Sequence, residues 1–512
     1  MPDSGLEETL DAAGYAKVIV ALRPAQAASL TTGATAMVAA SIANVRDSLQ
    51  NHFIIPSESQ FASLAMAAKR ATGRRAPAGG AAPAPRMRMY PHLGLALGFA
   101  DKSGVAALES DALVSKVVKA PELSLIRPVA ARAAKQTNET TWGIQRLRAE
   151  RLWAAGFTGK GVVVGHLDTG LDGTHPALNG AIKNFAEFDM MGDRVPNAKP
   201  HDSGEHGTHT AGTIAGRAGQ MGAFGVAPDA QVASAMVIEG GQVIDRILAG
   251  MDWIISEGVR IMSMSLGLRG FTPAFQAVVD ALRANNVLPV IAVGNEFANT
   301  SRSPGNYANV LSVGAADRND RVADFSGSQK FNRPDDALVP DVVAPGVAVL
   351  SCFPGGGFAE MDGSSMATPH VAGLAALLLQ AKPDASAQEL EDAILQSCSR
   401  PASMPEARAN RGVPDAVKAF AALTGATLPA ALAAAPPARR RGRAAKAPRR
   451  PRRPMPVAGK ARAAGKARAA GKSRAAGKSR AAGKAAGSTR AASKRTGAKR
   501  GAKRGGKGSG RK

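Results

Sequence analysis

Four unbroken apolar runs constrain the fold of this chain more than any other feature of its sequence. Segments with helical periodicity separate them, at 243–256, 273–285 and 364–381. Strands that read as continuous apolar runs are buried on both faces, which is typical of a parallel sheet with helices on each side. We therefore predict a doubly wound α/β fold, with a functional site at the carboxyl ends of its strands. The runs are VVVGHL (162–167), VASAMVI (232–238), RIMSMSL (260–266) and VLPVIAV (287–293).

A smaller pattern of elements precedes these runs. KVIVAL at 17–22 and LGLALGF at 93–99 are predicted strands, and 35–52 and 105–114 are predicted helices. The alternation of strands and helices indicates a small α+β module. The Gly-, Pro- and Ala-rich stretch at 70–86 interrupts it and is predicted to be a mobile loop.

The formal charge of +25 over 512 residues is confined to one end of the chain. Residues 439–512 hold 28 Lys and Arg and no Asp or Glu, so the rest of the chain carries a net charge of −3. This distribution excludes a uniformly basic particle, and 45% hydrophobic residues exclude a wholly disordered chain. Within the basic end, Gly-Lys pairs recur every six residues from 459 to 483. That period offers no apolar face, so we predict disorder for this segment on its own.

Three motifs bring an Asp, a His and a Ser into the order in which one class of hydrolase uses them. They are GHLDTGLDGTHPAL (165–178), HGTHTAGTIAG (206–216) and GSSMATPHVAG (363–373). A serine hydroxyl becomes a nucleophile when a histidine takes its proton, and an acid fixes the tautomer of that histidine. The motifs and their order on an α/β sheet resemble those of the subtilisin-like serine peptidases, the subtilases, over about 142–400.

The resemblance implies roles for four residues. Asp168 of the DTG motif would be the catalytic acid, His206 the general base and Ser365 the nucleophile. The backbone N–H of Ser365, at the start of a helix, would lie near the developing oxyanion. Asn295, in PVIAVGNE, would be the second oxyanion donor. The reaction implied is peptide-bond hydrolysis through an acyl-enzyme.

The resemblance also implies a substrate-binding strand and a specificity pocket. Ser265, Leu266 and Gly267 of the MSLG segment would pair with an extended peptide as an added strand. Gly294 would flank the main pocket, and Arg302 would fall near the pocket floor, where relatives often carry a small residue. On that basis acidic side chains would be favoured over large apolar ones.

The segments 15–27 and 92–127 resemble the inhibitory propeptide of the family, which assists folding and blocks the cleft until it is cut off. Autoprocessing would then fall between about 128 and 141. The expected partners are therefore protein substrates and the chain's own propeptide, and the expected oligomeric state is a monomer. The predicted domains are a propeptide at 1–135, a catalytic domain at 136–425 and a basic tail at 426–512.

The basic tail resembles the Lys- and Ala-rich arms of linker histones. Such arms bind phosphates with little sequence preference, so nucleic acid is the favoured partner. Another polyanion is an alternative, and so is a purely solubilising appendage. The tail has no interleaved aromatic residues, so base stacking is not expected. A second hypothesis for the whole chain is a nucleic-acid- or surface-binding protein whose peptidase domain is inert.

No cofactor is required by the predicted chemistry, and calcium is the one metal that the resemblance brings into question. Relatives often bind it through the Asp of an HPDL motif and an Asn-rich loop. Here the motif is HPAL, with Ala177 in place of the carboxylate, and the loop GRAGQMGAFG has no Asn or Asp. The usual strong site is therefore expected to be incomplete. Asp172 is expected to be structural, with a local metal role as the alternative.

Several other polar residues are expected to serve the fold. The motif histidines His175, His209 and His370 are predicted to be structural. Cys352 and Cys398 are either two free thiols or one bridge. The acidic first residues do not resemble a signal peptide, and no apolar stretch reaches 18 residues. The sequence thus favours an intracellular location, and the family habit favours secretion.

Overall fold

A computed structural model of the chain describes residues 4–55, 86–134, 137–219, 221–238, 243–334 and 336–429. The chain from residue 430 onward and, except for Arg86, the insertion predicted at 70–86 lie outside these residues. The chain divides after Ala438, and everything described below belongs to the first unit, Met1–Ala438. Of the basic tail predicted at 426–512, residues 430–512 therefore lie outside the described part.

Strands and helices alternate through most of the described chain. The strands are β1 Tyr15–Leu22, β2 Met87–Tyr90, β3 Leu95–Asp101, β4 Val114–Lys119, β5 Ser124–Leu125, β6 Ala130–Ala133, β7 Val163–Asp168, β8 Ile182–Glu187, β9 Gln231–Met236, β10 Ile261–Met264, β11 Leu266–Arg269, β12 Leu288–Ala292, β13 Arg302–Ser303, β14 Leu311–Ala316, β15 Gln329–Lys330, β16 Leu338–Val339, β17 Val342–Pro345, β18 Val349–Phe353 and β19 Gly357–Asp362. The α-helices are α1 Ser4–Ala13, α2 Pro24–Ser29, α3 Thr35–Leu49, α4 Lys102–Ser110, α5 Trp142–Leu147, α6 Ala149–Ala154, α7 His206–Ala215, α8 Ile244–Ser256, α9 Gln276–Ala284, α10 Ser364–Ala381, α11 Ala387–Ser397, α12 Glu406–Ala409 and α13 Ala416–Thr424. Short 3₁₀ turns occur at Gln50–His52, Pro176–Leu178 and Pro273–Phe275.

A seven-stranded parallel sheet forms the centre of the larger domain. Its strand order is β17-β14-β12-β10-β7-β9-β8, and every neighbouring pair is parallel. Along β12, Leu288 and Val290 join one apolar cluster with α7 and α10, while Ile291 joins another with α8 and α9. This alternation places helices on both faces, because successive strand side chains point to opposite sides. The predicted doubly wound α/β fold is confirmed.

The four apolar runs correspond to strands of this sheet. They became β7, β9, β10 and β12, which lie side by side near its centre. The run at 260–266 is the one that differs, because β10 ends at Met264 and the chain continues as β11 in a separate three-stranded sheet with β13 and β5. The predicted helix at 364–381 coincides with α10.

A four-stranded antiparallel sheet, in the order β2-β3-β1-β4, organises the N-terminal domain. Strand β1 is buried on both of its faces, and its side chains alternate between two cores. Val18 and Val20 pack with α3 and α4 of the same domain, whereas Ile19 and Ala21 pack in the cluster that contains α8 and α9. The open face of this sheet is therefore covered by two helices of the larger domain.

Polar contacts fix the N-terminal domain on those helices. The carboxylate of Asp252, on α8, accepts hydrogen bonds from the backbone N–H groups of His92 and Leu93 at 2.7 and 3.0 Å. Lys17 forms an ion pair with Asp245 of the same helix. Among the helices of the described residues, none combines the length and the apolar character needed to cross a membrane.

Candidate active site

Asp168 and His206 meet at the carboxyl end of the central sheet. Asp168 is the last residue of β7, and His206 is the first residue of α7. His206 Nδ1 lies 2.7 Å from Asp168 Oδ1 and 2.9 Å from Oδ2, and both residues are about 3% exposed or less. Burial opposes the charge on Asp168. The charge and hydrogen bond of His206, together with the Thr169 N–H, outweigh it and hold the pKa of Asp168 below its ordinary value.

Ser365 lies in the first turn of α10 and is fully buried. Its hydroxyl donates to the backbone carbonyl of Ile126 at 2.7 Å. His206 Nε2, the atom that would take a proton from this serine, is buried and has no hydrogen-bond partner among the described residues. Asp168 and His206 are therefore in contact, while the hydroxyl of Ser365 is bound by another part of the same chain.

Asn295 follows the end of β12 and is held in one orientation by the residue before Ser365. Its Oδ1 accepts from both the backbone N–H and the hydroxyl of Ser364, each at 2.9 Å. This leaves the Nδ2 group to donate, and it does so to the carbonyl of Arg127 at 3.0 Å. A Cβ on Gly363 would lie 3.2 Å from Asn295 Nδ2 and 3.6 Å from Ser365 N. Two potential oxyanion donors thus border one small space, which the missing side chain at Gly363 keeps open.

The predicted substrate-binding strand is paired with another strand of the same chain, β5. Leu125 pairs with Leu266 and Ser124 with Gly267, both in antiparallel register. The Ile126 N–H extends this pairing by donating to the Ser265 carbonyl at 3.0 Å. The segment before Ile126 therefore occupies the position that an added peptide strand would take.

After Ile126, the same segment pairs with the edge of a second sheet. The Val129 N–H donates to the Asp362 carbonyl at 2.8 Å, and β6 then pairs antiparallel with β19. Arg132 adds a bidentate ion pair with the Asp362 carboxylate, with N–O distances from 2.7 to 3.2 Å. The chain is thus bound on both sides of the serine.

Arg302, which the resemblance put near the pocket floor, contacts the strand that fills the cleft and forms an ion pair with Glu296. Its Nε donates to Glu296 Oε1 at 3.0 Å, and its Nη1 donates to the Gly267 carbonyl and to Ser124 Oγ at 3.0 and 3.1 Å. Burial raises the pKa of Glu296, but the hydrogen bond and charge of Arg302 outweigh it and lower that pKa overall. A Cβ on Gly294 would lie 2.8 Å from Glu296 Oε2 and 3.1 Å from Arg302 Cγ. Gly294 therefore borders this ion pair.

The other motif residues have structural contacts. His209 Nε2 lies 3.0 Å from the Val349 carbonyl, and burial lowers its pKa to about 3. The ring nitrogens of His175 and His370 likewise contact backbone carbonyls, at 2.7 and 2.8 Å. Asp172 accepts hydrogen bonds from Thr174 and from the Gly355 N–H. Cys352 and Cys398 are free thiols.

An arginine holds the loop at 216–225, the one in which the resemblance raised the question of calcium. The Arg217 guanidinium donates to four backbone carbonyls, those of Ala215, Pro228, Ala230 and Gly180. Within the described residues, no three His, Cys, Asp or Glu side chains gather as metal ligands would.

Sequence reasoning passed over several residues that the structure places at this site. Glu296, Ser364 and Gly363 adjoin predicted residues, and their position next to Asn295 or Ser365 was the available signal. His166 offered a different signal, as a histidine inside the predicted buried strand VVVGHL. The pairing of Ile126 with Ser365 had none, because 239 positions separate the two residues.

The geometry agrees with similarities to known proteins. The subtilase family model matches residues 159–420. Subtilisin BL of Lederbergia lenta is 40% identical over 245 residues, which are 47% of this chain and 85% of that protein. M-protease of Shouchella clausii is 36% identical over 282 residues (54% and 67%), and subtilisin E of Bacillus subtilis 33% over 300 (57% and 74%). The chain therefore belongs to the subtilase family and is a serine-type endopeptidase.

Proposed function

We propose that Asp168, His206 and Ser365 form the catalytic triad of this endopeptidase. The observations that carry the proposal are the Asp168–His206 pair, in which Nδ1 contacts both carboxylate oxygens and Nε2 has no partner among the described residues, and the contact of Ser365 with a peptide carbonyl. His206 Nε2 takes the proton of Ser365 as Oγ attacks the carbonyl carbon. Asp168 holds the Nδ1–H tautomer and stabilises the imidazolium that forms.

The oxyanion would be stabilised by two donors. Asn295 Nδ2 is oriented by Ser364, and the Ser365 N–H borders the same space. Such donors act where charge develops, so they lower the barrier more than they strengthen substrate binding. His206 then protonates the leaving amine, the acyl-enzyme forms, and water attacks it with His206 again as the base. No step draws on a metal or a cofactor, and we expect peptide hydrolysis to persist in excess EDTA.

A protein substrate would bind as an added strand on Ser265, Leu266 and Gly267. The pairing of residues 124–126 with this edge supports the proposal, since it supplies the same backbone hydrogen bonds that an extended peptide would. Main-chain bonds give affinity there, and the pocket beside Gly294 gives selectivity.

The N-terminal part of the chain, about 1–135, is proposed to be an inhibitory propeptide of the catalytic domain 136–425. Two observations support this. The antiparallel sheet packs on α8 and α9, with Asp245 and Asp252 of α8 bonded to it, and the chain leaving it runs through the cleft. In that arrangement the uncut chain competes with every substrate for the same strand edge.

The bond we propose as the processing site is Ile126–Arg127, just upstream of the stretch expected from the sequence. Ile126 is the last residue in register with Ser265, and its carbonyl contacts the serine hydroxyl. The next bond, Arg127–Pro128, has a proline nitrogen as its leaving group, and that nitrogen carries no N–H. Cleavage after Ile126 therefore fits both the register and the chemistry.

Replacing the nucleophile tests the triad and the processing together. Ser365→Ala should remain at its full mass of 52.3 kDa and should not hydrolyse casein. The unmodified chain should yield a product whose N-terminal sequencing starts at Arg127. Full casein hydrolysis by Ser365→Ala would refute the triad, whereas a different first residue would refute only the processing site.

The basic tail is proposed to bind nucleic acid and so to localise the peptidase. Its 28 Lys and Arg with no acidic residue support this, because such a segment neutralises phosphates and releases their counterions. Other polyanions would compete by the same mechanism.

A further inference from the structure

A buried histidine that the proposed reaction does not use lies beside the catalytic acid. His166 precedes Asp168 by two positions on β7, so the two side chains leave the strand on the same face. His166 is 1% exposed. Its Nε2 lies 3.7 Å from Asp168 Oδ2, too far for a hydrogen bond.

Two hydroxyl groups hold the ring of His166. Nδ1 lies 2.9 Å from Ser234 Oγ on the neighbouring strand β9, and Nε2 lies 2.8 Å from Thr210 Oγ1 on α7. The Thr210 hydroxyl in turn reaches Asp168 Oδ2 at 3.0 Å. One continuous series of hydrogen bonds therefore leads to the catalytic carboxylate, from Ser234 through His166 and Thr210 to Asp168.

The number of available hydrogens fixes the direction of these hydrogen bonds. The Thr210 hydroxyl has one hydrogen, and apart from His166 its neighbours are acceptors: Asp168 Oδ2 at 3.0 Å and the carbonyls of His206 and Gly207 at 3.2 Å. The closest and only anionic acceptor is the carboxylate, which makes the strongest bond. His166 Nε2 must then carry a hydrogen and donate it to Thr210.

The other nitrogen of the ring completes the count. Burial lowers the pKa of His166, against the charge of Asp168, so the surroundings favour the neutral ring. Nδ1 then has a free lone pair and accepts the hydroxyl hydrogen of Ser234. Every hydrogen in this series of hydrogen bonds, from Ser234 onward, points towards Asp168.

We propose that Thr210 and His166 are positioning residues of the catalytic acid: His166 holds the Thr210 hydroxyl as a donor to Asp168 Oδ2, and this bond sets how strongly Asp168 attracts the proton of His206. The inference rests on the proposed triad. A carboxylate that accepts one hydrogen bond fewer is a stronger base. Loss of the Thr210 hydroxyl therefore raises the pKa of His206 and moves the acid limb of the rate profile to higher pH.

The other charged and titratable groups around the pair do not account for such a shift. Asp202 acts on His166 from the loop before α7, and its own oxygens are bound by Thr169 and Thr208. His209 lies on α7 with its pKa lowered to about 3, so it stays neutral in the relevant range. A change confined to Thr210 leaves these groups in place.

The test compares kcat/KM against pH for hydroxyl-deletion variants of the full chain after processing. Thr210→Val should move the acid limb upward by about half a pH unit. Thr210→Ser keeps the hydroxyl and should restore the original profile. Thr213→Val is the matched control, because Thr213 is equally buried on α7 but its hydroxyl bonds only the His209 carbonyl; its profile should not move.

A second pair of variants tests the histidine. His166→Gln can still donate a hydrogen to Thr210, and His166→Leu cannot, so only the leucine variant should shift the limb. NMR titration of His206 in Ser365→Ala chains reads the same pKa without requiring activity. Reduced activity in Thr210→Val with an unmoved acid limb and an unmoved His206 pKa would mean a structural role alone and would overturn the proposal. Active Ser365→Ala would refute the triad instead.

Discussion

The hydroxyl of Ser365 donates to the backbone carbonyl of Ile126 at 2.7 Å, although the amide of Asn295 donates to the carbonyl of the next residue, Arg127. In a reactive complex one carbonyl presents its carbon to the serine and its oxygen to the oxyanion donors. Here the serine hydroxyl contacts the carbonyl of one residue, and the amide of Asn295 contacts the carbonyl of the next. If Ile126–Arg127 is the bond that is cut, as proposed, the oxygen of the Ile126 carbonyl must leave the serine hydroxyl and turn towards Asn295 Nδ2 before attack.

The proposed role of Asn295 as an oxyanion donor can be tested apart from substrate binding. Asn295→Ala should lower kcat about 100- to 1000-fold with little change in KM, because the bond forms fully only in the transition state. The variant should be processed in trans by a trace of unmodified enzyme before kinetics are measured on a short peptide. Ser364→Ala, which removes one of the two donors that orient Asn295, should lose much less. A kcat within tenfold of the original for Asn295→Ala would contradict the assignment.

The ion pair beside Gly294 predicts a selectivity switch. From Arg302 alone the sequence favoured acidic side chains, but the Glu296 carboxylate pairs with Arg302 and also lies 3.3 Å from Arg269, so we expect a weaker preference in the unmodified chain. Glu296→Gln frees the charge and should raise kcat/KM for a glutamate before the scissile bond over leucine by about tenfold. Adding Arg302→Met should abolish the gain. If the double variant kept the new preference, Arg302 would not be its source.

The docking of the N-terminal domain should weaken as pH rises. The hydrogen bond between His92 Nδ1 and Asp252, at 3.2 Å, raises the pKa of His92 above 6.5, against the effect of burial. A raised folded-state pKa gives stability that is complete below 6.5 and disappears as pH passes through the raised value. About a third of the His92 side chain is exposed, so the gain should be below about 1 kcal/mol.

His92→Gln in Ser365→Ala chains measures this contribution. The free energy of unfolding lost on substitution should be greatest near pH 6 and vanish at alkaline pH. An effect of His92→Gln that grew with pH would have the wrong sign and would exclude this pairing.

The central sheet could be predicted because its signal is local. A strand buried on both faces is apolar along most of its length. The segments VVVGHL and VLPVIAV therefore predict β7 and β12 from local sequence alone, whichever strands lie beside them. Strands β5 and β13 have two residues each, too few for any period to appear. Their pairing with β11 depends on the tertiary fold, and sequence patterns do not encode it.

The candidate site divides in the same way. Asp168, His206 and Ser365 stand at a strand end and two helix starts, inside motifs that resemble a family. The partner of Arg302 was missed because a salt bridge depends on side-chain geometry, although Glu296 is only six positions away. His166 and Thr210 lie 44 positions apart and meet only when α7 packs on β7.

The basic tail predicts a salt-dependent interaction that is separable from catalysis. A chain truncated after Ala438 lacks all 28 tail charges and should no longer retard DNA in a gel, while its kcat on a short peptide stays unchanged, since no described site residue lies beyond 429. If the tail neutralises about ten phosphates, log K should fall with log salt at a slope near −9. Heparin should compete if charge alone decides. Retardation that survived the truncation would place the binding surface elsewhere.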